Sequence, residues 1–165
     1  MIADRPLDEF ELLPDEHFMR QALAQARAAL GEDEVPVGAV IVHGERMIAA
    51  AHNQREQLKD PTAHAEVLAI TQATQFFSDW RLEECTMFVT LEPCLMCAGA
   101  ILQARIPRLV FGATDPKAGA VTSLFEVLND SRLNHRVEVR GGVMAAECGA
   151  LLSEFFQGKR RQGKK

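Results

Sequence analysis

Two short runs, His64-Ala65-Glu66 and Pro93-Cys94-Leu95-Met96-Cys97, restrict what this chain can fold into more than anything else in it. One imidazole and two thiols are ligand types that favour zinc, and a site with only three protein ligands keeps its fourth position for water. Cys94 and Cys97 stand three apart, so on a helix they share a face. Pro93 suits the first position of that helix, and thiols on a first turn meet the positive end of the helix dipole, which helps them ionise. Cys94 follows His64 by 30 positions, enough chain for a helix and a strand. The ligands can meet only if two helix N-termini lie side by side at one ion.

The rest of the chain supplies elements that fit this demand. Asp15 reads as the cap of a helix with apolar positions at Phe18, Ala22, Leu23, Ala26 and Leu30, ended by Gly31. Residues 37–42 and 47–51 read as a hairpin around His43-Gly44-Glu45. Thr62 reads as the cap of a helix over 63–73, residues 86–90 as a strand, and Pro93 as the start of a helix to Ala104 that Pro107 stops. A strand over 108–111, a Gly/Pro-bearing loop over 112–121, a short helix over 123–128, a strand over 137–140 and a helix over 145–157 follow. Strands alternating with helices point to a layered α/β domain, and the hairpin makes its sheet mixed. The organisation expected is an acidic leader over 1–13, a single domain over 14–158 and a basic tail over 159–165.

The leader holds six acids (Asp4, Asp8, Glu9, Glu11, Asp15 and Glu16, counted to residue 16) against Arg5, unlike a secretory or transit peptide. No apolar run approaches membrane-spanning length. A cytoplasmic protein is expected, where Cys-x-x-Cys is a metal or catalytic motif rather than a disulfide. Five of the 18 basic residues crowd into 158–165, leaving 13 against 23 acids elsewhere. Such a tail could track a polyanion or simply aid solubility. Asn53, past a strand end, could be a ligand contact or a turn residue. Phe76, Phe77 and Trp80 read as core packing in preference to a stacking platform, and Cys85 and Cys148 as buried small hydrophobes. His17, His43, His52 and His135 have no ligand partner at a telling spacing.

His-x-Glu followed by Pro-Cys-x-x-Cys is the signature of the zinc nucleobase deaminases, in which the glutamate moves protons and is not a ligand. Zinc lowers the pKa of a bound water from ~15.7 towards ~7, so hydroxide is available at neutral pH to attack the amidine carbon of a base. His64, Cys94 and Cys97 are thus the expected ligands and Glu66 the acid/base. These runs, with Val35-Pro-Val-Gly-Ala-Val40, Thr90-Leu-Glu-Pro93, Phe111-Gly-Ala-Thr-Asp115 and Asn134-His-Arg-Val-Glu138, resemble the bacterial tRNA-specific adenosine deaminase family over roughly 16–161.

The resemblance implies a three-layer α/β/α cytidine deaminase-like fold with a mixed, about five-stranded sheet. It also implies one Zn2+ per subunit, a homodimer, and conversion of adenosine to inosine at the wobble position of a tRNA anticodon stem-loop. Carried over by position, Asn53 recognises the flipped base, while Ala65, Ala113, Asp115 and Phe156 join it in substrate binding. Gln157 departs from the arginine common in relatives, which implies one phosphate contact fewer. Two other readings compete: a deaminase of free cytosine, cytidine or guanine type, to which the basic tail gives no purpose, and a non-catalytic zinc-containing partner subunit, against which Glu66 stands.

Overall fold

Gly38–His43 (β1) and Arg46–His52 (β2) form an antiparallel hairpin. Gly44, at φ +62°, takes the first central position of its two-residue turn, where an L side chain would be strained. The computed structural model describes the backbone of residues 8–164 and the side chains of residues 14–164. β1 is apolar on both faces because it is central, pairing on its other edge with Cys85–Leu91 (β3), also antiparallel. Arg108–Ala113 (β4) and Glu138–Arg140 (β5) extend the sheet in parallel, giving the order β2-β1-β3-β4-β5. The sheet is mixed and five-stranded, as expected.

Helices cover both faces. Ala65–Phe77 (α3) and Leu95–Gln103 (α4) bury Ala65, Ala69, Ala73, Ala98 and Ile101 against Ile41, Met87, Val89 and Leu109. Asp8–Gly31 (α1) and Ala145–Arg161 (α5) cover the other face, where Met19, Ala22, Leu23 and Cys148 meet Val40, Val42, Phe88 and Val110. The alternation along β1, β3 and β4 thus feeds two cores, one on each side. α1 crosses β1 at Gly38, where a Cβ would come within 2.0 Å of the Ala22 carbonyl oxygen. Only glycine permits that approach.

Several boundaries differ from the sequence expectation. The backbone of α1 is helical from Asp8, through Pro14, so Asp15 is not its cap; residues 1–7 of the expected leader lie outside the described residues. Buried Asp15 instead receives hydrogen bonds from Arg108 (2.9 and 2.8 Å) and Arg140 (2.6 Å), tying α1 to β4 and β5. A short helix, Arg55–Leu58 (α2), follows β2 unforeseen. Residues 123–128 form turns and a 3-10 turn at Val127–Asn129, because their backbone is held from outside the segment. α5 runs on to Arg161, so the start of the basic tail is its last turn, where cations suit the helix dipole. Phe76 and Trp80 are about half exposed and lie outside the core, carrying Arg46 and Arg81 over their rings. Cys85 and Cys148 are buried, and burial pushes both thiols up to about 11.

Candidate metal and substrate site

The chain enters α3 and α4 on their ligands. His64 and Cys94 are themselves the N-caps, both in extended backbone: His64 stands in place of the expected cap Thr62, and Pro93, expected at the first helical position, precedes the cap of α4. Cys97 lies on the first turn of α4. One Nδ1 and two Sγ atoms come within 4.8 Å of one another. His64 Nδ1 lies 3.7 Å from Cys94 Sγ and 3.5 Å from Cys97 Sγ. A tetrahedral ion with Zn–N near 2.0–2.1 Å and Zn–S near 2.3 Å places nitrogen and sulfur about 3.6 Å apart. The three side chains therefore fit zinc in both type and spacing.

Charges within the cluster are interdependent. The Cys97 thiol, by hydrogen bonding, is the main cause that holds Cys94 down at about 3, with His64 adding to it against the effect of burial. Cys97 is driven far up by that same bond, then by burial and by Glu66. His64 is raised chiefly by its bond to Cys94, against burial, with Glu66 contributing. Glu66 is buried, and burial pushes its carboxyl above the usual carboxylate range. A buried carboxyl that readily holds a proton suits an acid/base role.

Beside the cluster opens a cavity of about 770 Å3, within the usual range for a small-molecule site. It sits at the carboxyl ends of the parallel strands β3 and β4, where open α/β sheets bind ligands. Asn53, His64, Ala65, Glu66, Cys94, Asp115 and Phe156 all line it. Asn53 is buried, its amide donates weakly to the Val35 carbonyl at 3.4 Å, and its Oδ1 has no partner among the described residues. An orphaned buried acceptor at a cavity wall is a place for a ligand's N–H, because leaving it unmade costs about 1–3 kcal/mol. Ala113 is the exception among the expected residues: it is absent from the lining and packs with the α1/α5 core.

Arg55, Lys117 and Arg160, none singled out individually by sequence reasoning, stand around the same cavity on α2, the loop after β4, and α5. None of the three makes an ion pair among the described residues, whereas neighbouring Lys159 is bound to Asp33. The only sequence signal was the basic cluster that includes Arg160. Glu92 was also missed as an individual residue. Burial pushes its carboxyl up, but hydrogen bonds from the Ser123 hydroxyl and the amides of Asp115, Thr122 and Ser123 prevail and hold it at about 2.

Residues 14–160 match the family model of the MafB19-like deaminases. A tRNA-specific adenosine deaminase of Bacillus subtilis (strain 168) is 47% identical over 150 residues, which is 91% of this chain and 93% of that protein. One of Haemophilus influenzae is 50% identical over 152 residues, 92% of this chain and 87% of the relative. A solved structure from a study of A-to-I editing by tRNA:A34 deaminases superposes with a TM-score of 0.80 at 45% identity, covering 82% of this chain and 99% of its own.

Proposed function

We propose how the site works in a chain that belongs to the tRNA-specific adenosine deaminases, enzymes that convert adenosine to inosine in tRNA by hydrolysing an amidine C–N bond. His64 Nδ1, Cys94 Sγ and Cys97 Sγ would hold one zinc ion, which when bound supplies an acidified water as the nucleophile. Glu66 is the proton carrier. Its carboxylate accepts the proton of the attacking water and passes it to a ring nitrogen of the base, then takes the remaining hydroxyl proton to the departing amine. Water adds, ammonia leaves, and the carboxylate is restored. Asn53 accepts an N–H of the base at its otherwise orphaned Oδ1, and Ala65, at the first position of α3, contributes backbone to the same wall.

The substrate position is the wobble adenosine of an anticodon stem-loop. Its base must leave the stack to reach a cavity of this kind, while flanking nucleotides stay at the mouth. Phe156, half exposed on α5, offers a ring to such a neighbour, and Asp115 faces the same opening. A homodimer accords with the exposed Leu95, Leu124 and Phe125 at the start of α4 and the adjoining loop. Among the described residues no helix is long and apolar enough to cross a membrane; the cytoplasm, where tRNA is processed, is the proposed location.

The observation that carries this reading is a buried carboxyl sharing one cavity wall with His64 and Cys94, two of the three zinc-type ligands, and with an amide oxygen that has no partner among the described residues. The test is inosine and ammonia release by the zinc-loaded protein. Its substrates are an anticodon stem-loop with adenosine at the wobble position, free adenosine and free cytidine. Inosine from the stem-loop alone is the expected result. Turnover of a free nucleoside with the stem-loop untouched would overturn the proposed substrate position.

A further inference from the structure

The loop that forms one side of the cavity mouth, from Thr114 to Ala118, makes no regular secondary structure with its neighbours. One of its amides, that of Asp115, and the backbone of residues 121–123 beyond it instead converge on one buried carboxylate. Glu92 Oε1 accepts the N–H groups of Val121 (3.2 Å), Thr122 (2.7 Å) and Ser123 (2.8 Å), and Oε2 accepts the N–H of Asp115 (2.9 Å) and the Ser123 hydroxyl. The flanking backbone is fastened as well: the Glu92 N–H donates to the Ala113 carbonyl at 2.8 Å, and the Ala120 N–H to the Pro93 carbonyl at 2.9 Å. Gly119 leaves the carboxylate its space, since a Cβ there would stand 2.4 Å from Glu92 Cδ. Asp115 Oδ1 in turn accepts the amides of Lys117 and Ala118, so the fold of the rim continues outward from the atom Glu92 holds.

We propose that Glu92 is a positioning residue for substrate binding: from two places before Cys94 it fixes the Thr114–Ala118 rim relative to the reacting centre. Six donors, the Thr122 hydroxyl at 3.4 Å among them, converge on two oxygens that share a negative charge, an arrangement no neutral side chain can reproduce. A glutamine at this place has one carbonyl oxygen. Whichever way its amide turns, either the Asp115 N–H or the N–H groups of 121–123 face an NH2 group, and a buried donor is left unmade.

Glu92→Gln is the test, and its kinetic arm rests on the substrate reading above. KM for the stem-loop is expected to rise about tenfold, the effect of one buried donor left unsatisfied, while kcat stays within about twofold, because the interaction serves binding and not the chemical step. The absorption spectrum of the cobalt(II)-substituted variant should match that of the wild type, which separates the rim from the ligands. Unchanged KM would overturn the proposal. So would an altered cobalt spectrum with lowered kcat and unmoved KM, since Glu92 would then act on the metal. Ser123→Ala, which removes one donor and leaves the charge, guards against a variant that does not fold; it should raise KM in the same sense by about threefold, and no rise would refute the role. Hydrogen exchange gives an arm without substrate: the amides of Asp115, Val121, Thr122 and Ser123 should exchange faster in Glu92→Gln. Unaltered protection there overturns the proposal even if the wild type proves to act on a different base, and a wild type inactive on the stem-loop would sink the substrate reading alone.

Discussion

Glu66 has no salt-bridge partner among the described residues and lies at the first turns of two helices, so burial decides what it can do. A carboxyl raised by desolvation gives up and takes back a proton more readily near neutrality than an exposed one. Glu66→Gln is therefore expected to retain one zinc per chain by atomic absorption and to lose inosine formation by about 10^2–10^4-fold, the usual share of general acid–base catalysis. Parallel loss of metal and turnover would make Glu66 a ligand. Asn53 is the complementary case, a side chain whose missing partner is the ligand. Asn53→Ala should raise KM about tenfold with metal content unchanged, and an unaffected KM would return Asn53 to a mere turn residue. Glu66 was readable in the sequence because residue type and local spacing carried the signal, whereas Asn53, open between ligand contact and turn residue on its own, was legible only through the family resemblance. Glu92, Arg55 and Lys117 were not legible, because what makes each one matter is a neighbour or a cavity assembled from distant segments.

Among the elements, α1 shows where local reading fails. Asp15 reads as a cap, yet the helix passes through it and through Pro14, and Asp15 is occupied by Arg108 and Arg140 from 93 and 125 positions away. No window of sequence contains that triad. The hairpin and the α3 and α4 segments were legible because turn residues, apolar runs and ligands coincide in each of them. Residues 123–128 read as a short helix but form turns that end in the 3-10 turn at Val127–Asn129, because Glu92, outside the segment, holds the backbone where it begins, at Thr122 and Ser123. The hydrogen bonds and charge of Arg108, then of Arg140, outweigh burial and hold the Asp15 carboxyl below the usual range. Such a group contributes stability that is fully present above its unfolded pKa near 3.8 and is lost as pH falls through the lower folded value. Asp15→Asn should thus cost about 2–3 kcal/mol at neutral pH in urea unfolding, the usual effect of removing one charged partner from a half-buried pair. The difference from wild type should shrink below about pH 4. A difference that is the same at pH 3 and pH 7 would mean that packing, and not the ion pairs, is what the substitution removes.

Taken whole, the molecule is an acidic body, net charge −5, that must hold a polyanion. Its charge distribution resolves the conflict locally. Arg55, Lys117 and Arg160 reach the cavity mouth from three separate elements and are free of ion pairs among the described residues, while Asp115 beside them accepts the amides of Lys117 and Ala118, and Asp15 and Glu92 are tied up by their own donors. The basic tail seen in the sequence is thereby divided. Lys159 is committed to Asp33, and Arg160 faces the site. Cutting the chain after Gln157 would remove the last turn of α5 as well as charge, so single substitutions are the cleaner probe. If the three rim cations meet phosphates flanking the flipped base, each neutralisation should lessen the salt dependence of stem-loop binding, with log K against log salt flattening by about 0.7 per cation for single-stranded contacts. The triple variant should then lose about two units of slope. Arg46 is the control: it starts β2 at the end of the sheet opposite Asn53, about 23 Å away along the strand, and lies over Phe76. Arg46→Ala should leave the slope where it was. Equal flattening by Arg46→Ala would show that the RNA senses the overall field of the protein, and no flattening by the rim variants would remove phosphate from their role altogether.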